Sequence, residues 1–317
     1  MATGQVVLPS RKPWLLAGTA ALLAFLAVGA FGVYRYVDNY WLYRGFAPPH
    51  DPAYVKVRGT TVRVYVASPA LGGRRQPVDL YLPPGYAAHP HRRYPTLYLL
   101  HGVPGRPGAF LATVRMGVVE DELVALHKAR PMILVMPFGS TGSFTDEEWA
   151  NGVRPHSAWE TFLARDVVRY VDTHFRTIPH GWARGLAGLS EGGYGSLNIG
   201  LHHPGEFRLL ESWSGYSKAD PIPSIFGKSK QFYDYNSPLL MLKHVRKALR
   251  REHTFIWFYI AKKDHGFKEN QWFARALERD RIPHKYYVFV HGGHNWALWR
   301  GNAARAYLAA SKVLRGP

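Results

Sequence analysis

Apolar residues recur along this chain with two periods, and together they outline a layered α/β domain. Residues 61–68 alternate and residues 78–82 form an apolar run, with Gly72-Gly73 and basic residues between them, which predicts an antiparallel opening to a sheet. Further strand-like runs lie at 95–100, 132–136, 183–189, 207–213, 255–260 and 286–290, and helix-like stretches alternate with them. Behind Ser157, the residues Trp159, Phe162, Leu163, Val167, Tyr170 and Val171 return at helical spacing and form one apolar face. Ser157 with Glu160 predicts a capping box, each side chain satisfying the other's backbone amide. Such alternation predicts a mostly parallel central sheet with helices on both faces. In sheets of this kind the chemistry collects beyond the carboxyl ends of the strands.

The first fifty residues follow a different pattern. No charge occurs at 13–34, a run bounded by Lys12 and Arg35 and long enough to cross a hydrocarbon core of ~30 Å as one helix. Tyr34, Tyr36, Tyr40, Trp41 and Tyr43 follow, rings of the kind that settle at a headgroup interface. We therefore expect a short basic tail at 1–12, a membrane anchor at 13–34, an aromatic stalk with Pro48-Pro49 at 35–55 and the main domain at 56–317. The competing reading is a cleaved signal peptide, with Arg11-Lys12 as its basic start and Val28-Gly29-Ala30 as its cleavage site. Positive charge flanks the run on both sides, so orientation stays open. Either reading carries the main domain out of the cytoplasm, anchored in the first case and secreted in the second.

Composition narrows the chemistry. An apolar fraction of 47% and an aromatic fraction of 14% suffice for a packed core. With no cysteine, disulfides, thiolate metal sites and a thiol nucleophile are excluded. Forty Lys and Arg against 22 Asp and Glu give a net charge of +18, a field that attracts anionic surfaces. No nucleic-acid module is present in the pattern, so a membrane or envelope surface is the expected anionic partner and nucleic acid is not.

The reactive residues fall where strands end. Gly188-Leu-Ser190-Glu-Gly192 matches G-x-S-x-G directly after the run at 183–189, the arrangement that puts a nucleophilic serine on a tight strand-to-helix turn. His101-Gly102-Val103 closes the run at 95–100; acyl transfer needs preorganised N–H donors for an oxyanion, here expected from the backbone of Val103 and Glu191, with His101 and Gly102 supporting the loop. His294, in His291-Gly-Gly-His294, follows the last strand and suits a general base; His291 reads as a surface residue. Asp264 follows the run at 255–260 and would orient His294, with Glu269 and Asp280 as weaker contenders. The chain order Ser190, Asp264, His294 is that of α/β-hydrolases. No H-E-x-x-H helix accompanies the two histidines, so no metal and no cofactor is expected. Gly227-Lys-Ser229 lacks the first glycine of a phosphate loop, where Ile222 stands, and is set aside. His202-His203 reads as surface capping at the end of the helix behind Ser190.

Taken together, the Leu-Pro-Pro-Gly-Tyr86 entry, Tyr98-Leu-Leu-His-Gly102, Gly188-Leu-Ser-Glu-Gly-Gly193, Ser212-Trp-Ser-Gly-Tyr216 and Gly292-Gly-His-Asn-Trp296 with Trp299 resemble the putative-esterase family of α/β-hydrolases. That family includes esterase-D-like enzymes, feruloyl and acetylxylan esterases, enterochelin-type esterases and secreted mycolyltransferases. The resemblance runs from about Val62 to the C-terminus. It implies an α/β-hydrolase fold, Ser190, Asp264 and His294 as the triad, and Val103 and Glu191 as oxyanion donors. Where the family often has Gly-x-x-Asp at the acid, this chain has Ala261-Lys-Lys-Asp264, and the N-terminal run is an addition to it.

The expected activity is metal-independent carboxylic ester hydrolysis through an acyl-enzyme, and a cap over the site at 227–253 would point to an ester that a lipid or envelope polymer carries. An acyltransferase of the mycolyltransferase kind would use the same residues, and a non-catalytic envelope-binding module is the reading from another class. Residues 227–253, with Leu239 to Leu242 followed by Lys243, Arg246, Lys247, Arg250 and Arg251, are expected to form a cap over the site or an ordinary surface helix.

Overall fold

The computed structural model describes residues 13–314; the basic tail expected at 1–12 lies outside them. The chain divides into two compact units between Ala47 and Pro48. Among the described residues the first carries one helix, Pro13–Tyr43. Within Trp14–Tyr43 an 18-residue stretch reaches a mean hydropathy of 2.1, and the helix has a length and composition that suit a membrane span or a signal sequence. The helix continues through Arg35 and Asp38 to Tyr43, so the first part of the expected stalk is helical.

The second unit is built on one eight-stranded sheet. Its strands are β1 (Thr60–Ser68), β2 (Arg74–Leu82), β3 (Thr96–Leu100), β4 (Ile133–Pro137), β5 (Arg184–Leu189), β6 (Leu209–Trp213), β7 (Phe255–Ala261) and β8 (His284–Phe289). They lie in the order β1-β2-β4-β3-β5-β6-β7-β8. β1 and β2 pair antiparallel, β2 joins β4 antiparallel, and every later pairing is parallel. All eight strands fall on the runs read from the sequence. β2 starts earlier than its apolar stretch because Arg74 to Pro77 pair with Tyr65 to Ser68 in the hairpin. Arg74 and Arg75 are exposed, and a ladder standing in water needs no apolar side chains.

β3 to β6 are buried at every position, which parallel strands covered on both faces require. Successive side chains point to opposite faces, so Leu97 and Leu99 join one core while Tyr98 and Leu100 join the other. The first core lies under the helix Trp296–Val313, through Trp299, Ala303, Ala306 and Tyr307. The second includes the helix Glu191–His202 and the apolar face predicted behind Ser157.

That predicted helix starts at Trp159, passes through a π-helical segment Phe162–Val167 and ends as Val168–His174. Its capping box does not form. Ser157 Oγ donates to the Arg154 carbonyl at 2.6 Å, and Glu160 is taken by two histidines from another helix. A tertiary contact outcompetes the local one.

Residues 227–253 do not form a single cap. The helices Pro223–Phe226 and Lys230–Tyr235 come first, and Ile225 and Phe226 pack with Tyr194 of the helix Glu191–His202. The helix Pro238–Arg251 buries Leu242 and Leu249 in the core as a regular amphipathic helix does. Arg246 pairs with Asp280 at 3.1 Å and Arg250 donates to the Asp280 carbonyl at 2.6 Å, while Lys243, Lys247 and Arg251 are exposed, the last beside Glu252 at 2.8 Å.

Candidate active site

β5 runs straight into Ser190, whose φ of +57° and ψ of −125° put a non-glycine residue in strained backbone. Beyond it the helix Glu191–His202 starts at once, and Ser190 N–H donates to the Trp213 carbonyl at 3.0 Å. The two glycines of the motif are dictated by close approach. A Cβ on Gly188 would stand 2.1 Å from the Gly192 carbonyl oxygen, and one on Gly192 would stand 1.9 Å from that of Leu100. β3, the turn and the helix therefore meet backbone to backbone.

The ends of β5, β7 and β8 bring three side chains into line. His294 Nε2 lies 2.8 Å from Ser190 Oγ, and His294 Nδ1 lies 2.9 Å from Asp264 Oδ2. Asp264 is buried, and its Oδ1 accepts the Gly266 N–H at 3.2 Å. Burial pushes its carboxyl up, but the hydrogen bond and charge of His294, with the Gly266 N–H, outweigh this and hold it below the ordinary aspartate value. The imidazole of His294 meets Trp299 edge to face, ring centroids 5.1 Å apart. Ala261, at the position where the resemblance led us to expect glycine, ends β7 outside the left-handed region, and its carbonyl accepts the Asp264 N–H at 3.0 Å. The turn needs no glycine.

The other contenders lie elsewhere. Glu269 accepts N–H groups from Ser217 and Lys218, the latter at 2.8 Å, and so fastens the loop after β6. Asp280 is held by Arg246 and Arg279. His291 is exposed on the loop after β8. His202, expected at the surface, has a buried side chain bonded to Glu160 and to the Tyr235 carbonyl. The expectation failed because its partners come from other helices.

The His101–Val103 loop lies against the serine: a Cβ on Gly102 would stand 2.9 Å from Ser190 Cβ. His101 is buried, and burial pushes its imidazole down to about 4, so the ring is neutral near neutral pH. Its Nε2 accepts the Gly139 N–H at 3.1 Å, which leaves the proton on Nδ1, 3.0 Å from the Gly102 carbonyl. Trp149 Nε1 donates to the His101 carbonyl at 2.9 Å. This histidine thus joins the loop beside Ser190 to residues 139–149.

Sequence reasoning passed over what lies behind the serine. The Glu191 carboxyl is buried, and burial, with the nearby Glu148 and Asp146 charges, holds it well above the ordinary value. Glu148 is raised for the same reasons, burial first and then Asp146, while both its oxygens accept from Tyr216 Oη, at 2.7 and 2.6 Å. Glu148 and Trp149 are consecutive residues with positive φ, +54° and +48°. No motif spacing marks Glu148, because its contacts lie far along the chain.

Residues 68–308 match the model of the family described as putative esterase. The chain belongs to that family. Among the family's relatives, an endo-1,4-beta-xylanase/feruloyl esterase of Xylanibacter ruminicola is 34% identical over 154 residues, 45% of this chain and 20% of that protein. An esterase of Mycobacterium tuberculosis is 32% identical over 138 residues, 44% of this chain and 28% of that protein. The matched stretches thus span between a fifth and a third of these relatives' own lengths. A solved ferulic acid esterase superposes with a TM-score of 0.72 at 22% identity, covering 82% of this chain and 100% of that one. With the mixed sheet and the helices on both of its faces, the likeness establishes the α/β-hydrolase fold expected from the sequence.

Proposed function

We propose that this chain is a serine carboxylic ester hydrolase acting through an acyl-enzyme on Ser190. The observation that carries the reading is the continuous line from Ser190 Oγ to His294 at 2.8 Å and on to Asp264 at 2.9 Å. Ser190 Oγ attacks the acyl carbon as its proton passes to His294 Nε2. Asp264, ionised, holds Nδ1–H and stabilises the imidazolium that forms. The backbone N–H groups of Val103 and Glu191 receive the oxyanion. Collapse expels the alcohol, which takes the proton from Nε2. Water then attacks the acyl carbon with His294 as base, and the acid leaves as Ser190 regains its proton. Every proton passes through His294, so the cycle calls for no metal or cofactor.

The same reading puts the domain outside the cytoplasm. As a helix the uncharged run at 13–34 extends about 33 Å, enough for the hydrocarbon core. This supports an anchor, with a cleaved signal peptide as the competing reading. A net charge of +18 suits work at an anionic envelope surface, on an ester borne by lipid or polymer.

The test is turnover of a short p-nitrophenyl ester. Ser190→Ala is expected to lower kcat by at least about 10⁴-fold and to abolish labelling by a fluorophosphonate. Unchanged turnover would remove Ser190 as nucleophile, and a wild-type chain that neither turns over nor labels would point to a binding module. Product analysis with added alcohols separates hydrolysis from transfer to an acceptor.

A further inference from the structure

His265 takes no part in the proposed cycle, yet it shares the acid of that cycle. Its Nδ1 lies 3.3 Å from Asp264 Oδ1, the oxygen not used by His294, and its side chain is 76% exposed. The rings of His265 and His294 are tilted 48° to each other with centroids 5.0 Å apart. One ligand atom from each of Asp264, His265 and His294 lies within 4.8 Å of the other two. We infer that these three residues form an inhibitory binding site for Zn²⁺.

The donor set and spacing fit. Zinc takes imidazole nitrogen and carboxylate oxygen at about 2.0–2.2 Å in a tetrahedron, which sets donor atoms about 3.3 Å apart and leaves a fourth position for water. Asp264 turns one oxygen to each imidazole, Oδ2 at 2.9 Å from His294 Nδ1 and Oδ1 at 3.3 Å from His265 Nδ1, so both ring nitrogens already stand beside one carboxylate. His265, exposed to solvent, is free to turn so that its Nδ1 meets the same ion as His294 Nδ1 and one Asp264 oxygen. Asp264 supplies the negative charge, and Lys262 and Lys263 point into solvent, where their opposing field is screened.

Binding there stops the base. A neutral imidazole carries one N–H. With zinc on His294 Nδ1, the proton moves to Nε2, which then faces Ser190 Oγ as a donor and cannot accept the serine proton. The metal thereby imposes the wrong tautomer, as loss of the carboxylate would. Inhibition of turnover rests on the ester-hydrolase reading, whereas metal binding itself does not.

Two measurements on the full chain test this. First, ZnCl₂ is titrated against p-nitrophenyl acetate turnover. Wild type is expected to lose activity and regain it with EDTA. His265→Ala should retain its zinc-free turnover and need at least about ten-fold more zinc for half-inhibition. Equal sensitivity of the two chains, or no inhibition, overturns the site. Second, Co²⁺ is added to Ser190→Ala, which needs no turnover to report. A visible d–d absorption that disappears on adding His265→Ala supports the site even if the ester-hydrolase reading fails. No absorption, or one that persists in the double variant, overturns it.

Discussion

Glu160 and His202, at the start of one helix and the end of another, meet with Oε2 2.7 Å from Nδ1. His203 Nε2 lies 2.9 Å from the other carboxylate oxygen, and His202 Nε2 lies 2.9 Å from the Tyr235 carbonyl. The His202 ring also stacks on Tyr235, centroids 4.1 Å apart. Burial pushes the Glu160 carboxyl up, but the hydrogen bonds and charges of the two histidines outweigh it and hold it below the ordinary glutamate value. One carboxylate therefore ties the helix behind Ser157 to the end of the helix behind Ser190, and through His202 to the segment Lys230–Tyr235.

Removing that charge leaves both histidines facing a neutral amide. Glu160→Gln is expected to destabilise the fold by about 3 kcal/mol near neutral pH. Because the folded-state value is depressed, this stability is present above the ordinary carboxylate range and lost as pH falls through the folded value. Urea midpoints of wild type and variant should differ at about pH 7 and converge in acid. A constant gap at every pH would contradict a role for the carboxylate's charge.

The buried acids behind Ser190 carry the opposite sign. Glu191 and Glu148 are raised, so between the ordinary glutamate range and their folded values the folded chain holds more protons than the unfolded one. Stability then falls as pH rises. Glu191→Gln, which keeps the backbone N–H and stays neutral, is expected to melt higher than wild type at about pH 8, with the gap closing near pH 4. Thermal midpoints across that range check it.

Asp264→Asn keeps the side-chain shape but can donate to His294 Nδ1, favouring the tautomer with its proton on Nε2. The expected loss in kcat is about 10⁴-fold with little change in KM or stability. Asp264 accepts from Gly266 as well as from His294, so the loop itself should persist. Loss of activity through unfolding, seen as a fall in melting temperature, would argue for a structural role instead.

Two glycine substitutions separate close approach from helix propensity. A methyl on Gly192 would stand 1.9 Å from the Leu100 carbonyl oxygen, so Gly192→Ala should give an unstable chain with no turnover. At Gly301, in the helix Trp296–Val313, a methyl meets nothing within 4 Å. Gly301→Ala should stabilise the chain by about 0.5–1 kcal/mol and leave turnover unchanged. Chemical denaturation of both variants measures the contrast.

Strand positions were legible in the sequence because β3 to β7 are nearly continuous apolar runs, the mark of strands covered on both faces. Ser190 and Asp264 could be picked out because each follows such a run and His294 because it follows the last strand, and strand ends in a parallel sheet gather at one edge. That much depends on local pattern and on a rule of topology. What depends on distant partners was read wrongly or passed over. The Ser157–Glu160 spacing is a sound capping box in isolation, yet Glu160 is claimed by His202 and His203, 42 and 43 residues away. Glu148 shows no motif because its partner is Tyr216, 68 residues on. His265 carries no motif in the sequence and acquires a place beside His294 only when β7 and β8 pair. Local propensity fixes where the chain extends or coils. The partner that a buried polar group takes is decided when the layers close, because only then does desolvation make an unpaired group costly.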